Sequence, residues 1–81
     1  MGIEILIVDD ESDIRKLTSG ILQDEGYQTR VAANSTEALA AIQARRPNLV
    51  LLDIWLQGSN LDGLGILKAI KVEHPLLPVL M

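Results

Sequence analysis

Two short aliphatic runs, each stopping abruptly at a carboxylate, limit what this chain can fold into. Ile5-Leu6-Ile7-Val8 runs into Asp9-Asp10, and Leu49-Val50-Leu51-Leu52 runs into Asp53. A strand with one solvated face would alternate apolar and polar residues. An unbroken run of branched aliphatics reads instead as a strand covered on both faces, as in a parallel sheet. Each acid then stands at the carboxyl end of a strand, the edge where open α/β sheets place their ligands. Three acids converging there can hold a hard cation, and one of them can do chemistry.

The segments between these runs supply helices. Ile3 to Val8 is the first expected strand, and the acidic turn Asp9-Asp10-Glu11-Ser12-Asp13 leads into a helix with Ile14, Leu17, Ile21 and Leu22 at helical spacing. Ser12 is its expected N-cap and Gly26 its C′ stop, while Asp13 suits the first turn through the helix dipole. Tyr27 to Ala32 fits a shorter strand near the sheet edge. Asn34 to Glu37 has capping-box spacing, and Ala38, Leu39, Ala41 and Ile42 give the second helix an apolar face. Arg45, Arg46 and Pro47 end it. After the strand Leu49 to Asp53 comes a loop, Ile54 to Asp62, and then a third helix, Gly63 to Glu73, expected to turn Leu64, Leu67 and Ile70 to the sheet. His74, a dipole-favoured surface residue, and Pro75 close it, and Pro78 to Met81 begins a fourth strand. Strand and helix alternate three times before that strand, which predicts an α/β doubly wound parallel sheet with helices on both faces.

Composition narrows the function classes. A chain of 81 residues is one domain at most and buries only about 60 to 65% of its unfolded surface. With 2% aromatic residues its core must be aliphatic. The net charge of −4, without a Lys/Arg run, argues against nucleic-acid binding by this segment, because phosphate neutralisation supplies most of that affinity. The absence of cysteine removes disulfides, thiolate catalysis and Cys-based zinc sites. No basic leader precedes the first strand and no apolar run approaches the roughly 18 residues of a membrane span, so no membrane partner and a cytoplasmic location are expected.

Strand-Asp-Asp, strand-Asp and Asp62-Gly63 opening the third helix, in this order, resemble the receiver domain of two-component response regulators. The resemblance runs through residues 1–81, which correspond to roughly the first two thirds of such a domain, and implies the flavodoxin-like strand order 2-1-3-4-5, of which the four strands and three helices expected here give an incomplete fold with order 2-1-3-4. The stretch from Asp53 to Gly63 is longer than the usual family loop and carries Gln57 where proline is common. In this it is similar to the receivers of NtrX-type regulators, whose further domains act in transcription.

By that resemblance Asp53 is the phosphoryl acceptor, taking its phosphate from a sensor histidine kinase. Asp10 is a direct Mg²⁺ ligand, Asp9 binds the ion partly through water, and the backbone carbonyl of Trp55 is a further ligand. The family's hydroxyl residue after the fourth strand and lysine after the fifth have no counterpart among these residues. Lys68 and Lys71 read as the solvated face of the third helix, and Glu11 and Asp62 as turn and cap residues. Slow phosphorylation is therefore expected, together with exposure of Val79, Leu80 and the sheet face near Leu51, and with self-association through that edge and face. Two rival readings stand beside this one. A haloacid dehalogenase-type phosphatase also places an Asp nucleophile after a strand, but resembles an Asp-x-Asp pattern. A receiver-like module can also bind or oligomerise without phosphorylation.

Overall fold

The structure, a computed structural model, describes residues 2–53 and 63–81. The element order is β1 (Glu4–Val8), α1 (Ser12–Asp24), β2 (Gln28–Ala32), α2 (Ser35–Ala44), β3 (Leu49–Leu52), α3 (Gly63–Glu73) and β4 (Val79–Leu80). The four strands form one parallel sheet in the order β2-β1-β3-β4. The expected α/β doubly wound topology and the edge position of β2 are both found. The loop Ile54 to Asp62, with Trp55 and Gln57, lies outside the described residues.

All five residues of β1 are buried, as a strand flanked on both edges and covered on both faces must be. Alternation along the strands divides the side chains between two faces. Leu6, Val8, Val50 and Leu52 join Ala38 and Ile42 of α2, Ile66 and Ile70 of α3, and Leu77 in one continuous apolar core. Ile7 and Leu51 belong instead to the face on which Thr18 of α1 lies. That face is thinly covered, since α1 has no fully buried residue.

Several local expectations need correction. Ser12 is the first helical residue of α1, and Glu11 takes the N-cap position without a side-chain cap bond. The Asp9 carboxylate is the cause: it accepts from the Glu11 N–H at 2.9 Å and so turns the chain into the helix one residue early. In α3, Ile66 and Ile70 are the fully buried pair, Leu67 packs partly against the core, and Leu64 is exposed. This segment is apolar on more than one side, so its sequence spacing leaves the rotation of the helix open. Val79 is half-buried rather than exposed, because it sits opposite Val50 and packs against the main core. Leu80, opposite Leu51, is exposed as expected.

The N-cap of α2 and the C-terminal stop of α1 follow the sequence. Asn34 accepts from the Glu37 N–H at 2.9 Å, and the Glu37 carboxylate reaches back to the Ala33 N–H at 2.9 Å. Gly26 follows the C-cap of α1 with φ +94°, a conformation that glycine adopts without a Cβ penalty.

Glu4 is the surprise of β1. It is buried at 7% exposure and accepts from Arg30 of β2 (Nε, 3.0 Å) and from Arg45 just past α2. Arg30 also donates to the carbonyls of Ala41 and Arg45 at the end of α2. Asn48 joins the cluster, its side chain accepting from the Glu4 N–H at 2.8 Å. Arg45, expected only to suit the helix dipole, thus ties α2 to the first strand.

Candidate functional site

The site grows out of the sheet register. β1 and β3 are parallel neighbours with Val8 opposite Leu52, so Asp9 and Asp53 are the first residues beyond the same sheet edge. Backbone bonds hold both there. The Asp53 N–H donates to the Val8 carbonyl at 2.9 Å, and the Asp9 N–H to the Ala32 carbonyl at 3.1 Å. Asp9 is fixed further by its side-chain bond from the Glu11 N–H and by Arg15, whose guanidinium donates to the Asp9 carbonyl at 2.8 Å.

Asp9, Asp10 and Asp53 each offer a carboxylate oxygen, and these oxygens lie within 4.8 Å of one another. All three residues are half-buried. Two unit charges at such a separation repel by about 1 kcal/mol in water and by several times that where solvent is partly excluded. A cation among them would relieve that repulsion. The donor set contains only oxygen, which suits a hard ion such as Mg²⁺. Opposite ligands of an octahedral Mg²⁺ are about 4.2 Å apart, so oxygens this close fit such an ion with small side-chain rotations or an intervening water. Trp55, expected to add a backbone carbonyl, is outside the described residues.

Beside the acids a groove of about 300 Å³ runs over the thinly covered sheet face, with Asp9 and Asp53 at one end and Thr18, Leu51, Leu80 and Met81 along it. Sequence reasoning singled out neither Thr18 nor Arg15. Both lie on α1, and only the packing of that helix on β1 and β2 brings them to the acids.

Residues 5–81 match the response regulator receiver domain family. The chain belongs to that family. This receiver is NtrX-like: it is similar to the nitrogen assimilation regulatory protein NtrX of Azorhizobium caulinodans, with 63% identity over the whole 81-residue chain and 18% of the relative's length. It resembles the crystal structure of the receiver domain of NtrX from Brucella abortus with a TM-score of 0.90 and 64% identity, over 93% of this chain and 62% of that one. A more distant relative is the sporulation initiation phosphotransferase F of Bacillus subtilis, 49% identical over 72 residues, or 89% of this chain and 56% of that protein. The receiver therefore spans less than a fifth of the NtrX protein it resembles. Its acidic cluster is typical of the Mg²⁺ site of receiver domains, and a receiver domain implies a cognate histidine kinase.

Proposed function

We propose that Asp53 accepts a phosphoryl group from a sensor histidine kinase and that Mg²⁺ assists, held directly by Asp10, partly through water by Asp9, and by Asp53 and the Trp55 backbone carbonyl. The observation that carries this reading is the meeting of three carboxylates from two adjacent strand ends. A carboxylate oxygen of Asp53 attacks phosphorus in line with the phosphorus–nitrogen bond. That bond breaks as the acyl phosphate forms, and the leaving imidazole keeps the electron pair. When bound, the ion neutralises charge on the transferring oxygens. The chain's own part is positional: the ladder bond from the Asp53 N–H to Val8 fixes the nucleophile, and the turn bond to Glu11 fixes Asp9. The output controlled is transcriptional, an inference from the NtrX relatives.

The test is incubation with Mg²⁺ and acetyl phosphate. A single phosphate, stable to acid and labile to base, should appear on the chain and vanish in Asp53→Asn. Asp10→Ala should abolish Mg²⁺ binding in calorimetry, whereas Trp55→Ala should leave it measurable, since only a backbone atom is invoked. Label that persists in Asp53→Asn refutes the assignment. Multiple-turnover phosphate release points to a phosphatase, and no label on any residue points to a non-catalytic interaction module.

A further inference from the structure

Asp10, the acid given the direct metal bond above, lies between β1 and α1 rather than in a regular element. The aim of a side chain in such a turn depends on how firmly the peptides on either side of it are held. Arg15 of α1 holds both sides. Its backbone N–H donates to the Glu11 carbonyl at 3.0 Å, closing the first turn of the helix. Its guanidinium Nη1 reaches back and donates to the Asp9 carbonyl at 2.8 Å. The Glu11 N–H donates in turn to the Asp9 carboxylate at 2.9 Å. Asp10 is thus enclosed between two residues that one arginine ties down.

The Asp9 carbonyl belongs to the planar peptide unit that joins Asp9 to Asp10, so a donor that fixes its direction also fixes the plane from which Asp10 departs. That carbonyl lies past the ladder. β1 ends at Val8, and among the described residues no backbone N–H reaches the Asp9 oxygen. A half-buried acceptor beyond the ladder needs another donor, and a guanidinium supplies a strong, charged and directional one. Arg15 is itself half-buried, which shields the bond in part from water. Its charge also completes the balance of the site, three carboxylates against a divalent ion and one guanidinium.

We propose that Arg15 is a positioning residue for the metal site: resting on the phosphoacceptor reading above, it aims Asp10 through the Asp9–Asp10 peptide and touches neither the ion nor the phosphoryl group. Charge and position give opposite signs. A positive charge beside the acids opposes an incoming cation, so removing it would tighten Mg²⁺ binding, by an amount that salt screens. Removing an anchor of the ligand-bearing peptide loosens Asp10 and weakens binding at any ionic strength. Outer partners of metal ligands contribute about 10–100-fold in affinity.

Calorimetric titration of the 81-residue chain with Mg²⁺, at about 50 and 500 mM salt, tests this. Arg15→Met should raise the dissociation constant about tenfold at both. Arg15→Lys, which keeps an ammonium able to donate to the same carbonyl, should fall between that variant and the wild type. Without metal, nitrogen–proton correlation spectra should show the Asp10 amide signal displaced in Arg15→Met and returned toward its place in Arg15→Lys, because that nitrogen shares its peptide with the carbonyl that loses its donor. An unchanged or lower dissociation constant in Arg15→Met, a weakening that salt removes, or an unmoved Asp10 signal overturns the proposal. Arg15→Gln, too short to reach the carbonyl, takes the same tests if circular dichroism shows the methionine variant unfolded. Asp10→Ala keeps the two readings apart. Where it abolishes Mg²⁺ binding, a null result at Arg15 overturns the positioning role alone; binding that survives it refutes the assignment of Asp10 and the present proposal with it.

Discussion

Replacing Glu4 by Gln tests the account of how α2 is tied to the sheet. The Glu4 carboxylate is bonded by Arg30, whose side chain is 23% exposed, and by Arg45, whose side chain is 66% exposed. The hydrogen bond from Arg45, with the charges of Arg30 and Arg45 beside it, holds the Glu4 carboxyl below its ordinary value of 4.5 against the opposing effect of burial. Arg45 is raised in turn by the same bond. Glutamine keeps the shape but removes the charge and turns an amide NH₂ toward a guanidinium. Hydrogen bonds to charged groups contribute about 1.5–3 kcal/mol against 0.5–1.5 for neutral ones, and breaking a buried pair strands the partner. With solvent reaching the Arg45 side, the loss is assigned to the Arg30 side alone and comes to about 2 kcal/mol.

That is a large share of the total, since a domain of this length has about 4–12 kcal/mol of stability. The melting temperature should fall by about 8–16 °C, followed by far-ultraviolet circular dichroism. The pH dependence has a definite sign. A carboxyl whose folded pKa is lowered contributes its full stabilisation above the unfolded value of 4.5 and loses it as pH falls through the lower folded value. The gap between wild type and Glu4→Gln should therefore be constant from about pH 7 to 5.5 and shrink below pH 4.5. A gap under about 0.5 kcal/mol at neutral pH, or one that persists undiminished in acid, would refute the reasoning.

Other perturbations have equally direct expectations. Asn34→Ala removes the cap of α2 and should cost about 1 kcal/mol in denaturant unfolding. Gly26→Ala has free space around the new Cβ but a φ of +94°, so a loss of about 1 kcal/mol, read as an earlier midpoint with an unchanged slope, isolates backbone strain. Leu6→Ala at a fully buried position should cost about 3 kcal/mol and leave the chain barely folded. Leu17→Ala on the exposed face of α1 should change stability by less than about 0.5 kcal/mol.

The chain's own sequence determined the kinds of elements and their order. Aliphatic runs β1 and β3 were legible because neither shows polar alternation, although only β1 is buried on both faces and Leu49 and Leu51 of β3 are half-buried. Asn34 and Gly26 were legible because a cap and a left-handed turn are satisfied within a few residues. Asp9, Asp10 and Asp53 stood out by their place after strands, but their approach to within 4.8 Å rests on β1 and β3 being neighbours, a long-range pairing. Tertiary packing alone decided the rest. It chose Ile66 over Leu64 as the buried row of α3, since helical spacing leaves rotation open where several sides are apolar. It buried Glu4, a charge that local pattern would place in water, because arginines 26 and 41 residues away in sequence meet it there. It also left Ile14, Leu17 and Ile21 in solvent, for an apolar spacing marks a face to be covered without saying what covers it.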